Sequence, residues 1–132
     1  IKKTGPILTP NIPEAELLSK RKINNKKEMI EASEVLLNMG INSLVLKGGH
    51  LDSNKLIDMV FYEQNYHEFN SKKVITRHTH GTGCTLSSAI AANIAKSFNL
   101  VKSMEIAHKY VLKGIQSAPK FGKGHGPINH FQ

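Results

Sequence analysis

The stretch Thr79-His80-Gly81-Thr82-Gly83-Cys84-Thr85 sets two glycines and a thiol at the head of an alanine-rich, helix-forming segment. The first backbone N–H groups of a helix have no intrahelical acceptor, and they sit at the positive end of its dipole, so a helix start attracts anions. Glycine removes side chains and lets the backbone come close to an oxygen. Cys84 falls in the first turn, where the dipole favours negative charge on sulfur. A group so placed could take a proton from a substrate hydroxyl while neighbouring N–H groups hold a transferring phosphoryl group. The same residues also suit a plain tight turn with a small, buried cysteine. The stretch is not a Walker A loop, which needs a lysine after its last glycine. It also lacks the third glycine of a dinucleotide fingerprint.

Two further segments carry polar groups behind short apolar runs. Thr9-Pro10-Asn11-Ile12-Pro13-Glu14 follows Ile7-Leu8, and Lys47-Gly48-Gly49-His50 follows Leu44-Val45-Leu46. Asn11 and Glu14 offer hard oxygens that could hold Mg²⁺ directly or through water. Lys47 offers a point charge for a phosphate. Taken singly, Asn11 is also a turn residue, Glu14 a first-turn helix charge and Lys47 an exposed strand end. Their joint position is the stronger signal, because ligands of open parallel sheets gather at the carboxyl ends of the strands. Asn11, Lys47 and Gly81 are therefore expected on one rim.

The intervening pattern supplies elements to carry them. Pro6 to Pro10 reads as a short strand, and Pro13 starts a helix through Leu18. Lys27 to Met39 has helical spacing, with Met29, Ala32, Leu36 and Met39 on one face and Gly40 as its C-terminal stop. Ser43 to Lys47 reads as a strand buried on both faces. Leu56–Tyr62 and Tyr66–Phe69 suggest strands around a turn at Glu63-Gln64-Asn65, and Val74–Thr76 a third. Leu86–Ser97 is helical, with Leu86, Ala89, Ile90 and Ile94 inward. Val101–Ala118 is a second helix, with Val101, Met104, Ala107, Val111 and Ile115 as its buried stripe. The glycine- and histidine-rich tail from Phe121 to Gln132 reads as irregular. Helix followed by buried strand indicates an α/β fold with a mostly parallel sheet and flanking helices.

Composition narrows the function classes. The chain has 132 residues, 39% of them hydrophobic and 21% charged, which suits one soluble domain. No apolar run is long enough to span a bilayer, and the N-terminal residues have no secretory pattern. The single cysteine, Cys84, cannot form an internal disulfide, which fits a reducing cytoplasm. The net charge of +8 suits anionic partners. However, the basic clusters Lys20-Arg21-Lys22 and Lys26-Lys27 are short and free of aromatics, so they read as solvated surface rather than a nucleic-acid footprint.

Taken together, the motifs resemble the hydroxymethylpyrimidine/phosphomethylpyrimidine kinases of thiamine biosynthesis, within the ribokinase-like superfamily. Thr9-Pro10-Asn11-Ile12-Pro13-Glu14-Ala15 is similar to the Asn-x-x-Glu magnesium motif of that superfamily. Lys47-Gly48-Gly49-His50-Leu51 and Thr79–Ser87 resemble the pyrimidine kinases' own segments, and Gly124-His125-Gly126-Pro127 with His130-Phe131 fits their C-terminus. Sugar and pyridoxal kinases usually carry aspartate at the position of Cys84. The resemblance implies that Cys84 is the catalytic base and that Gly81, Thr82 and Gly83 build the anion hole. It also implies that Lys47 and Thr79 bind nucleotide phosphates and that Asn11 and Glu14 organise Mg²⁺. ATP and Mg²⁺ are then the expected cofactors, with a pyrimidine as acceptor. One departure is His78, which stands where the family often has asparagine.

The family's chains are much longer, and the resemblance implies that residues 1–132 form one partial ribokinase-like domain, the C-terminal, nucleotide-binding half. Such a half would perform phosphotransfer only with the missing N-terminal half, on a companion chain or through self-association. The apolar runs Ile7-Leu8 and Leu44–Leu46 are expected to line an exposed sheet edge that a homo-oligomer, a companion chain or a rearranged N-terminal segment covers. The alternative is a non-catalytic remnant or subunit with weak phosphate binding. A basic nucleic-acid module is the least consistent reading.

Overall fold

The computed structural model describes residues 5–49, 51 and 54–132, so His50 of the Lys47–Leu51 segment lies outside the described residues. Two compact units divide the chain, Ile1–Lys73 and Val74–Gln132.

The first unit runs β1 (Ile7–Leu8), α1 (Ile12–Ser19), α2 (Lys26–Asn38), β2 (Ser43–Leu46), β3 (Lys55–Tyr62) and β4 (Asn65–Lys72). The strands lie in the order β1-β2-β3-β4. β1 and β2 are parallel, with Leu8 opposite Leu44. β2 and β3 are antiparallel, with Leu46 opposite Met59, and so are β3 and β4, with Tyr62 opposite Asn65. The sheet is therefore mixed, not mostly parallel as the sequence suggested. Connection length is the reason. A parallel return needs a crossover of about a dozen residues or more, while a hairpin needs only two. Among the described residues, only the β1–β2 connection holds helices. Between β3 and β4 there is only Glu63-Gln64, both at positive φ (50° and 65°), the two-residue turn whose twist matches antiparallel strands. Asn65 Nδ2 donates to the Glu63 carbonyl at 3.1 Å and steadies it.

Asparagines start both helices of this unit. Asn11 Oδ1 accepts from the Glu14 N–H and Asn25 Oδ1 from the Glu28 N–H. The helix expected to start at Pro13 begins one residue earlier, with Pro13 inside its first turn, where a missing N–H costs nothing. α2 ends as Gly40 turns left-handed at φ 92°. Met29, Ala32 and Leu36 are buried as their spacing indicates, but Met39 caps the helix and is 66% exposed, contrary to expectation. The core gathers Ile12, Ala15, Met29 and Leu36 from the helices with Leu44, Leu46, Met59 and Phe61 from the central strands. Every residue of β2 is buried, and because β2 lies between β1 and β3 its apolar run is not at a sheet edge. Ile7 does sit at an edge, at 36% exposure.

In the second unit the expected strand at Val74–Thr76 is absent, and the segment is irregular. α3 (Thr82–Ala95) and α4 (Leu100–Gln116) pack together as a helical hairpin. Leu86 and Ile90 of α3 are buried, and so are Leu100, Met104, Ala107 and Val111 of α4. Ala89, Ile94, Val101 and Ile115 are only half-buried. The tail has no regular element, yet it is anchored. Asn129 N donates to the Gly114 carbonyl at 2.9 Å, and the Tyr110 hydroxyl to the His130 carbonyl at 2.9 Å.

Candidate functional site

In the first unit the two expected segments meet. Asn11 and Lys47 form a parallel bridge just beyond β1 and β2, and Lys47 N donates to the Pro10 carbonyl at 2.9 Å. Both therefore stand on the carboxyl-end rim of the parallel pair. Asn11 and Glu14 are tied in a reciprocal capping box, since Asn11 N also donates to Glu14 Oε2 at 2.8 Å. That arrangement leaves Glu14 Oε1 outside the box on an exposed side chain. Among the described residues no cluster of three or more metal-ligating side chains exists. One free carboxylate oxygen and an amide oxygen fit a magnesium ion that draws most of its ligands from phosphates and water, and would not suffice for a site built from protein alone.

Gly48 is the most constrained point of this rim. It is buried, and a Cβ there would lie 2.1 Å from the Ile57 carbonyl oxygen, so only glycine lets the loop cross β3. Its N–H donates to Asp58 Oδ1 at 2.9 Å. Asp58 was not singled out from the sequence. The signal was a lone carboxylate inside the apolar run Leu56-Ile57-Asp58-Met59-Val60.

In the second unit Thr79 to Cys84 makes the expected turn. Gly81 adopts φ 86°, a left-handed conformation that strains any residue with a Cβ, and it heads α3 with no side-chain cap. Among the described residues, α1, α2 and α4 all start on an asparagine that caps the first turn. α3 has neither such a cap nor an acidic first-turn residue. Thr82 N and Oγ1 both donate to the Thr79 carbonyl, at 3.2 and 2.6 Å, and Thr85 N donates to the Gly81 carbonyl at 2.9 Å. The N–H groups of Gly83 and Cys84 lie between these, with no acceptor among the described residues. Thr79 thus offers its backbone to hold the turn, leaving its hydroxyl as the group that could meet a phosphate. Cys84 is exposed, so the buried-cysteine alternative fails. It lines an open groove of about 710 Å³ together with Gly81, Thr85, Lys96, Tyr110 and His130.

The C-terminal loop braces this turn. His80 N donates to the Gly126 carbonyl at 3.1 Å, Arg77 Nη1 donates to the Lys123 carbonyl at 3.1 Å, and His125 Nδ1 lies 3.1 Å from the Arg77 carbonyl. His78 is buried, its Nδ1 has no hydrogen-bonding partner among the described residues, and its ring faces Gly126 so closely that a Cβ there would lie 2.3 Å from Nδ1. The second glycine of the Gly124-His125-Gly126-Pro127 segment, Gly126, is thus explained by packing on the residue before the signature.

A mixed four-stranded sheet backed by helices, with a capping-box rim and an uncapped glycine helix start, places the chain among α/β proteins of the ribokinase-like kind. Residues 2–129 match the phosphomethylpyrimidine kinase family, and the chain belongs to it. It is 40% identical over 124 residues to the thiamine biosynthesis bifunctional protein ThiED of Geobacter sulfurreducens, covering 94% of this chain and 25% of that protein. It is 36% identical over 125 residues to the hydroxymethylpyrimidine/phosphomethylpyrimidine kinase of Bacillus subtilis, covering 94% of this chain and 46% of that one. The chain therefore spans about half the length of such kinases, or less. Among solved structures, the pyridoxal kinase of Staphylococcus aureus in complex with AMP-PCP and pyridoxal superposes with a TM-score of 0.89 at 28% identity, over 94% of this chain and 47% of that one. The phosphomethylpyrimidine kinase of Clostridium difficile superposes with a TM-score of 0.69 at 32% identity, over 83% of this chain and 42% of that one. Among the described residues no helix is long and apolar enough to cross a membrane.

Proposed function

We propose that this chain provides the nucleotide-phosphate part of a site that transfers the γ-phosphoryl group of ATP to a hydroxymethylpyrimidine or its phosphate. The observation that carries this reading is the start of α3, where left-handed Gly81 leaves the N–H groups of Gly83 and Cys84 without an acceptor beside an exposed thiol. Family membership and the nucleotide analogue bound by the staphylococcal kinase support the same reading.

In this reading the roles divide by chemistry. Gly81 and Thr82 shape the turn of the anion hole, and the N–H groups of Gly83 and Cys84 face the transferring phosphoryl group, where they stabilise charge at the moment it develops. The Cys84 sulfur takes the proton of the acceptor hydroxyl. The freed oxygen forms a bond to the γ-phosphorus as the bond from that phosphorus to the bridging oxygen breaks, and ADP leaves. The Lys47 ammonium and the Thr79 hydroxyl hold the nucleotide phosphates, and Asn11 and Glu14 are the residues that would hold Mg²⁺, which when bound would neutralise phosphate charge. Most of the acceptor pocket belongs to the remainder of the kinase, contributed by a companion segment or chain, so the chain alone binds phosphate without turnover. A cytoplasmic setting suits a free catalytic thiol.

Titration of the ¹⁵N-labelled chain with ADP tests the reading. Amide shifts centred on Gly81–Cys84 and Lys47 are expected. Shifts confined to the basic Lys20–Lys27 loop would mean that a generic charged surface binds the nucleotide and would remove the proposal.

A further inference from the structure

The β2–β3 ladder follows one register, with Leu44 opposite Phe61, Val45 opposite Val60 and Leu46 opposite Met59. Continued by two steps, it would set Gly48 against Ile57. The close approach of Gly48 to the Ile57 carbonyl oxygen shows that the backbones do still meet there. The pairing nevertheless stops at Leu46. Beyond it the two flanking N–H groups go to different places. Lys47 N donates backwards to the Pro10 carbonyl beyond β1, and Gly48 N donates to the side chain of Asp58 instead of to the β3 backbone. The Gly48 carbonyl then accepts from Leu51 N at 3.1 Å, which turns the chain away from the sheet.

We propose that Asp58 is a positioning residue for Lys47: its carboxylate replaces the next ladder acceptor at Gly48 and so fixes the loop from which the Lys47 ammonium reaches a nucleotide phosphate. This role rests on the phosphate-binding reading of Lys47 given above. Three features make the placement specific. Asp58 is half-buried within the otherwise apolar run from Leu56 to Phe61, where a carboxylate is costly unless it is hydrogen-bonded. It accepts from a backbone N–H, that of Gly48 at 2.9 Å, which holds the loop at the residue next to Lys47. Its partner Gly48 cannot shift sideways, because the Ile57 carbonyl already blocks that side. Lys47 is thereby held on both sides, by its own bond to the Pro10 carbonyl just beyond β1 and by the bond of its neighbour Gly48 to Asp58 of β3.

The test compares ADP binding by calorimetry for the wild-type chain, Asp58→Asn and Asp58→Ala, with the Gly48 amide resonance followed in each. Asp58→Asn keeps an acceptor oxygen and should bind ADP within about threefold of wild type, whereas Asp58→Ala should weaken binding by about tenfold or more. In a Lys47→Ala background, Asp58→Ala should cause no further loss, a non-additivity that a merely structural role would not produce. Unchanged ADP affinity in Asp58→Ala, or full additivity with Lys47→Ala, overturns the positioning role. If Asp58→Ala does not fold, Asp58→Asn decides alone, and a loss beyond about threefold overturns the proposal. Absence of ADP binding by the wild-type chain refutes the phosphate-site reading itself, and the positioning role with it.

Discussion

The tandem glycines Gly48 and Gly49 offer one chemical change with two opposite outcomes. A methyl group at Gly48 would sit 2.1 Å from the Ile57 carbonyl oxygen, 3.0 Å from its carbon and 3.3 Å from Met29 Cε. The first two are backbone atoms of the sheet, so no rotamer change relieves the overlap, and the Gly48 segment must move from β3 by roughly an ångström. Overpacking of this kind costs about 1–3 kcal/mol. The same movement stretches the hydrogen bond to the Asp58 carboxylate, a bond of a type that contributes about 1.5–3 kcal/mol. The two losses share one displacement and do not add fully, so Gly48→Ala is expected to destabilise the first unit by about 3 kcal/mol, roughly 12–24 °C in Tm for a unit of this size. At Gly49 the nearest atom to an added Cβ is Leu56 Cδ2 at 3.8 Å, an ordinary contact, and the residue is exposed. Gly49→Ala should therefore stay within about 0.5 kcal/mol of wild type. Urea denaturation followed by far-ultraviolet circular dichroism measures both. Equal stabilities for the two variants, or the larger loss at Gly49, would refute the claim that close approach to β3 is what demands glycine in this loop.

Two further outcomes are expected. Gly126→Ala would put a Cβ 2.3 Å from His78 Nδ1 and 2.7 Å from the Phe121 carbonyl oxygen. It should lift the C-terminal loop and release the His80 N–H from Gly126, at a cost of about 2 kcal/mol, read as roughly thirtyfold faster amide exchange at His80. Glu105 lies between Lys102 and Lys109, whose ammonium groups donate to it and hold its carboxyl down to about 2 from an ordinary 4.5. A lowered folded-state value means that its contribution to stability is complete above pH 4.5 and is lost as the pH falls towards 2. An NMR titration of the Glu105 carboxyl should give a midpoint near the lower value in low salt, moving up as salt screens this exposed cluster, and Glu105→Gln should remove that component of the acid dependence.

What could be read along the chain was local. Helix spans, the Gly40 stop, the fully buried β2 and the turn before Cys84 each depend on spacing within a dozen residues, where periodicity and glycine chemistry dominate. The mixed sheet was also latent in the connections, since two residues between β3 and β4 permit only an antiparallel return. The strength of the buried-strand signal in β2 outweighed it, because an interior strand reads as apolar whatever the direction of its neighbours. Tertiary structure decided the rest. Met39 lies outside the core because a cap residue leaves the helical path. The asparagine and glutamate expected to face a metal are first a capping box. Asp58 has no local motif at all, and its meaning depends on Gly48, ten positions away in sequence, meeting it across a ladder that ends one step earlier. His78 and Gly126 are likewise understood only as a packed pair. Such residues are chosen by what approaches them in space, and a linear pattern records the approach only where the partners are near neighbours in the chain.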